Sequence, residues 1–250
     1  MVSCPDWINM HDALIAQLVE ELAVFGIRCK KEQAELMVRH LELLIEKNKV
    51  VNLTRITEPA DAVTLHLVDS LLPLASREVS VSEKDRYLDL GTGGGFPGIP
   101  FGVMTGSHGT LLDSVGKKVA AVNEFIQELG MRRLVAVHDR VEDYARTHGG
   151  SQTIVLARAV AQTNALVEYA TPLLSHNGLL LVQKGRPETE EIERGVRAAK
   201  ICGLELVSRE TFELPRGLGH REVLVFKKVR KPTIKLPRKT GLAKREPLGE

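Results

Sequence analysis

The chain lacks what a membrane span or a secreted, disulfide-stapled domain requires. No uninterrupted apolar run approaches the roughly eighteen residues that a spanning helix needs. The first residues, where Asp6 and Asp12 flank Trp7-Ile8-Asn9-Met10, have neither the basic start nor the apolar centre of a signal peptide. A cytoplasmic location is the expectation. Cysteine is scarce, and Cys4, Cys29 and Cys202 lie too far apart for a disulfide framework or a Cys-x-x-Cys pair, so ordinary reduced thiols are expected. The eight histidines show no metal-ligand spacing, which predicts no metal. No His/Asp or paired-carboxylate constellation for acid–base work stands out either.

What is present suffices for a substantial core: 250 residues, 43% of them apolar. The net charge of +2 conceals an asymmetry, because residues 227–250 carry nine Lys/Arg against Glu246 and Glu250. That tail is +7 and the body before it is −5. A polyanion partner is one reading of the tail, and a solvated segment that aids solubility is the other. Pro232, Pro237, Gly241 and Pro247 argue against regular structure there, so residues 230–250 are expected to be flexible.

Two patterns organise the rest. Residues 1–78 read as a helical segment: Leu14, Leu18, Leu22 and Phe25 recur at helical period until Gly26, and Ala34, Met37, Leu41, Leu44 and Asn48 trace a second stripe. Thr57-Glu58-Pro59 starts a third helix through Leu65, Val68, Leu71 and Leu72. Residues 79–229 alternate short apolar runs with helical stretches, the mark of βαβ units and a mostly parallel sheet. The predicted strands are 86–90, 110–113, 134–138, 153–157, 179–183, 204–208 and 222–228. The last two, with no helix between them, form an antiparallel hairpin at the sheet edge.

The chemistry begins at Tyr87-Leu88-Asp89-Leu90-Gly91-Thr92-Gly93-Gly94-Gly95-Phe96-Pro97-Gly98, where a strand runs into glycines and then a helix start. Such a turn brings backbone close to a ligand. A dinucleotide fingerprint needs glycine at 91, 93 and 96, and position 96 is Phe. A methyl donor has no pyrophosphate to seat; it needs a tight turn at Gly91, Gly93 and Gly95 and an apolar wall, which Phe96 can supply. Asp113 ends the next strand, about 20 residues on, where an acid can accept both ribose hydroxyls of an adenosine. Glu142 follows the third strand, either facing the adenine edge or solvated on a loop.

These residues resemble the RsmG (GidB) methyltransferases over nearly the whole chain. The resemblance rests on Asn52-Leu53-Thr54, His66-Leu67-Val68-Asp69-Ser70, Gly91 to Pro100, Leu112-Asp113-Ser114, Arg140-Val141-Glu142, Ala157-Arg158-Ala159, Gln183-Lys184-Gly185 and Pro237-Arg238-Lys239-Thr240-Gly241. It implies a Rossmann-like class I methyltransferase sheet that binds S-adenosylmethionine (SAM) and methylates guanosine N7 in 16S ribosomal RNA, in a decoding-region loop. It further implies SAM contact at Gly91 and Phe96, adenosine contact at Asp113, Val141 and Glu142, and an arginine, Arg158, where cofactor meets substrate. The family commonly has an acid five residues before that arginine; here Thr153 stands there.

Guanine N7 carries a free lone pair at neutral pH, so its methylation requires no strong base and depends mainly on alignment. Arg158, Arg140 and Asn52, with Lys184, are the candidates for holding the base or its phosphates, through guanine O6 rather than N7. His66 and Asp69 are expected to tie the helical layer to the sheet. RNA or a small-subunit particle is the expected partner, and a monomer the expected state. Removing residues 230–250 is expected to weaken RNA affinity and its salt dependence while SAM binding persists. The rivals are a dehydrogenase, disfavoured by Phe96, and a noncatalytic RNA-binding protein that keeps the fold.

Overall fold

The computed structural model describes residues 4–250, with side chains from Met10 onward. Cys4 and most of the segment around Trp7 therefore lie outside the described side chains. Two long helices open the chain, α1 (Cys4–Val24) and α2 (Lys31–Asn48). The third is one continuous rod of changing pitch: α3 (Pro59–Ala62), a π-helical stretch (Val63–Val68), α4 (Asp69–Leu71) and a 3-10 turn (Leu72–Ala75). Pro59 starts it at a position where its missing N–H costs nothing. The wide π-turn, invisible in the apolar spacing, sits at His66, next to the site described below; such turns recur at functional positions.

Seven strands follow: β1 (Arg86–Leu90), β2 (His108–Asp113), β3 (Leu134–His138), β4 (Gln152–Arg158), β5 (Leu174–Lys184), β6 (Leu204–Glu213) and β7 (His220–Lys228). Their order is β3-β2-β1-β4-β5-β7-β6, parallel except for β7, which runs antiparallel to both β5 and β6. The alternation expected from sequence is thus the architecture, edge hairpin included. All seven strands were anticipated, but β5 and β6 are longer. The start of β5 is polar and half exposed, and β6 alternates buried with open positions as an edge strand does, so neither shows a dense apolar run.

Helices α5 (Gly98–Thr105), α6 (Gly116–Glu128), α7 (Val141–Thr147), α8 (Thr163–Ala170) and α9 (Thr189–Cys202) connect the strands, and α10 (Leu242–Arg245) lies near the end. Period-two burial divides the core between the two sheet faces. Ile154 and Leu156 of β4 pack with α1, α2 and the third rod; Val155 and Ala157 pack with α8 and α9. Residues 10–75 share one apolar cluster with β1, β4, β5 and β7, so no core boundary separates helical segment from sheet.

The tail departs from the sequence expectation. Residues 229–250 lie along the body as a strap. Arg238 grips Glu168 with two hydrogen bonds, at 2.7 and 2.5 Å, and Ala243 is buried. Regular structure there is confined to the short helix α10, and backbone groups of the strap find partners on the body, among them Thr233 N with Ile201 O, Gly241 N with Glu142 and Leu248 O with Asn164.

Candidate functional site

Two clefts open at the C-terminal edge of the parallel strands, where an open α/β sheet presents its crevice. The first, of about 600 Å³, sits where strand order reverses between β1 and β4. Its floor is Gly91, Asp113 and Ala159, and its sides include Val141, Glu142 and Tyr169. The second, about 380 Å³, lies between the third helical rod and the ends of β4, β5 and β7; it includes His66, Asp69, Arg158, Lys184 and Arg221. Ala159 lines both. It holds a left-handed φ of 55°, a conformation that costs an alanine energy and that recurs at functional positions.

The glycine turn earns its composition locally. Gly91 has φ +75°, and a Cβ there would come within 2.8 Å of Val160. Its amide and that of Thr92 both donate to Leu112 O, which ties the turn to β2. Asp113 completes the tie: Oδ2 accepts from Gly93 N at 2.9 Å and Oδ1 from Val115 N at 2.9 Å. This carboxylate is therefore the brace of the turn as well as part of the cleft. Each oxygen keeps a second lone pair for a ligand hydroxyl.

Gly93, Gly95 and Phe96 stand behind the turn and contribute no lining to the first cleft. Phe96, expected as a cofactor wall, has its ring buried between His40 and His66, stacked at 4.5 and 4.6 Å. The aromatic wall of the cleft is Tyr169, on α8. Burial, then the charges of Glu142 and Glu168, pushes its hydroxyl up to about 12. His40 is held neutral in the same core, its pKa lowered to about 4 by burial, with Nε2 at 2.9 Å from Gly94 O. Burial and the charge of Arg158 lower His66 to about 3. Beneath the turn Asp89 is fully enclosed; burial raises its carboxyl to about 6, while Oδ2 accepts from Gly98 N.

Glu142 is neither solvated nor on a loop. It occupies the first turn of α7, buried, and accepts a hydrogen bond from Gly241 N of the strap at 2.7 Å. Val141 and Arg140 border the same cleft, Arg140 exposed as the residue that precedes α7.

Arg158 belongs to the second cleft. Nη1 donates to Asp69 Oδ2 at 3.1 Å and to Leu65 O at 3.2 Å, and the guanidinium lies 5.7 Å from the Phe96 ring centre. Asp69 Oδ1 accepts from Arg221 Nε at 3.1 Å. One carboxylate thus orients two arginines, and Gln183 holds its backbone by donating to Asp69 O. Lys184 donates to Ala161 O at 2.6 Å and pairs with Glu191 at 2.7 Å.

Of the four residues expected to hold the acceptor, Arg158 and Lys184 line this second cleft. Arg140 falls in the first, and Asn52 is exposed and lines neither. The loop that carries Asn52 is organised instead by Asn48, whose Oδ1 accepts from Leu53 N and Thr54 N. Arg221 was missed, although a signal existed: an antiparallel β7 starts at the edge where β5 ends, opposite Lys184. Thr240, Gly241 and Lys244 were also missed as cleft residues. Thr153, where the family commonly has an acid, donates to and accepts from the Arg86 backbone. Among the described residues no group of three or more His, Cys, Asp or Glu is placed to hold a metal ion, and no helix is long and apolar enough to cross a membrane.

The family model for rRNA small subunit methyltransferase G (GidB) matches residues 33–219. A curated protein of Desulforamulus reducens, named ribosomal RNA small subunit methyltransferase G, is 38% identical over 68% of this chain and 71% of its own length. One with the same name from Desulfitobacterium hafniense is 35% identical over 81% and 83%. Among solved structures, a putative sarcosine dimethylglycine methyltransferase of Galdieria sulphuraria superposes with TM-score 0.52 at 14% identity, covering 70% of this chain and 89% of that one. The [4+2]-cyclase SpnF reaches 0.54 at 14% identity, covering 81% and 97%. At such identity the likeness is one of fold, and a cyclase among the neighbours underlines that fold leaves the reaction open.

Proposed function

The chain belongs to the GidB family, the rRNA small subunit methyltransferases G, and from that membership we propose that it transfers the methyl group of SAM to N7 of a guanosine in 16S ribosomal RNA. The observation that carries this reading is the pair of clefts meeting at Ala159. A donor in the first and a base in the second would approach each other over one residue of backbone.

The first cleft suits an adenosine-bearing donor. Asp113 keeps lone pairs for ribose hydroxyls, Tyr169 offers an aromatic face, and the Gly91 turn lets backbone approach closely. SAM, when bound, supplies an electrophilic methyl group on a positively charged sulfur. The protein's own part is positioning. Arg158 and Arg221, held by Asp69, present cationic donors for guanine O6 or a flanking phosphate, and N7 is left free to attack. The second cleft offers no strong base: both oxygens of Asp69 are engaged by arginines, and His66, with Nε2 2.8 Å from Thr54 Oγ1 and Nδ1 unpartnered, has its pKa lowered to about 3 by burial and the charge of Arg158. That inventory suits a nucleophile with a ready lone pair. The acceptor is best reached in a loop, since the deep major groove of A-form RNA hides N7. RNA or a small-subunit particle is the proposed substrate, in the cytoplasm.

Borohydride–aniline cleavage of 16S RNA followed by primer extension tests this, since it cuts at N7-methylguanosine. One strong stop is expected in RNA from cells with the protein and none from cells without it. Identical patterns from both would overturn the proposal.

A further inference from the structure

The strap is not merely stowed. Between the Arg238–Glu168 grip and its last anchors, Asn164 Nδ2 to Leu248 O at 3.1 Å and Arg197 Nε to Gly249 O at 2.7 Å, it passes over the first cleft. Thr240, Gly241 and Lys244 become part of the cleft's lining. Thr240 Oγ1 donates to Asp143 Oδ1 at 3.2 Å, and the Gly241 amide donates to Glu142, itself a lining residue. Lys244 stays exposed while Ala243 beside it is buried, so the strap's last turn has one packed and one open side. The strap itself lies beyond residue 219, where the match to the family model ends.

We infer that residues 237–244 form the outer wall of the SAM site, with Thr240, the Gly241 backbone and Lys244 closing its adenosine end. The inference rests on the reading of the first cleft as the donor's seat. The hydroxyl and the ammonium suit a purine, whose ring nitrogens accept hydrogen bonds and whose amino group donates one. Glu142 then acts through the strap: its carboxylate fixes the Gly241 amide, and with it the two side chains on either flank. Removing the strap removes cofactor affinity as well as basic charge, which reverses the expectation drawn from sequence. By linkage the coupling is mutual, and bound cofactor holds the strap down by the factor that the strap adds to cofactor affinity.

Two measurements on the full chain, with SAM alone and no RNA, decide it. In calorimetric titration, Gly241→Pro, which deletes the amide donor and cannot adopt the φ of 81°, raises the Kd for SAM about tenfold. Lys244→Ala, an exposed change with no packing role, raises it by about threefold. In limited proteolysis of the unmodified chain, SAM slows tryptic cleavage after Lys239, Lys244 and Arg245 by at least about fivefold, a protection that Gly241→Pro loses. Should Gly241→Pro misfold, Lys244→Ala and the protection of the unmodified chain still decide. Unchanged Kd values together with unprotected cleavage would overturn the wall while leaving the donor seat intact. Failure of the unmodified chain to bind SAM would overturn both.

Discussion

Asp69 Oδ2 accepts a hydrogen bond from Arg158 Nη1 at 3.1 Å, joining the helical rod that packs on the sheet to the C-terminal end of β4 across 89 residues of sequence. The second oxygen of the same carboxylate takes Arg221. The second cleft therefore exists only while rod and sheet are docked, and its two cationic donors share one anchor.

Asp69→Ala leaves both arginines without their anion in a largely buried site, so it should lower stability by about 3 kcal/mol, within the range for breaking one side of a buried pair. It should also reduce kcat for RNA methylation far more than it changes the Kd for SAM. Denaturant titration and single-turnover kinetics check the two parts. A variant with wild-type kcat would show that the arginines need no orientation.

Arg158→Ala should lower kcat by roughly a hundredfold or more, the scale of lost alignment and lost electrostatic contacts. Binding of SAM should persist, because Arg158 lines the other cleft. Near-normal turnover would remove this arginine from the reaction.

Asp113→Asn replaces an oxygen that accepts a backbone amide with an NH2 group that cannot. One of the bonds from Gly93 N and Val115 N is lost, at a cost of about 1–3 kcal/mol. The turn loosens and SAM affinity should fall at least about tenfold, as the loss of a charged hydrogen-bond partner implies. Calorimetry with SAM is the check, and unchanged affinity would reduce Asp113 to a turn brace.

Phe96→Leu should act on the fold and not on the cofactor. It removes the ring stacked between His40 and His66, and the thermal midpoint should drop while the Kd for SAM stays within about threefold, since the site is only indirectly strained. A large loss of SAM affinity without destabilisation would restore Phe96 to the cofactor wall.

Acid should destabilise the protein above the range where carboxylates usually dominate. Unfolded histidines gain a proton as pH falls through about 6.5, whereas burial lowers His40 to about 4 and His66 to about 3 in the fold. The unfolded chain then binds more protons, so stability present above pH 6.5 is lost on acidification. Asp89 opposes this with one group: it is protonated in the fold below about 6 but in the unfolded chain only near 3.8. Between pH 6 and 4 two histidines outweigh one carboxyl, and the thermal midpoint should fall. A midpoint that is flat or rises on going from pH 6.5 to 4.5 would contradict the neutral histidine core.

What the sequence by itself determined is local. Strand runs and helical stripes follow from the side-chain periods of neighbouring residues, and the glycine turn follows from backbone that only glycine accepts comfortably, as at Gly91. The antiparallel hairpin was legible because no helix separates its strands. Tertiary structure alone decided which side chains meet. Phe96 turned into the core because α2 and the docked rod each offered it a flat imidazole, His40 and His66, and Asn52 stayed outside because its loop is tied down by Asn48. The strap's Gly241 reached Glu142 across 99 residues because prolines and glycines that limit regular structure do not forbid docking. A composition reveals that a segment forms no long helix; whether its amides find partners depends on the shape of the surface beneath, which only the folded chain creates.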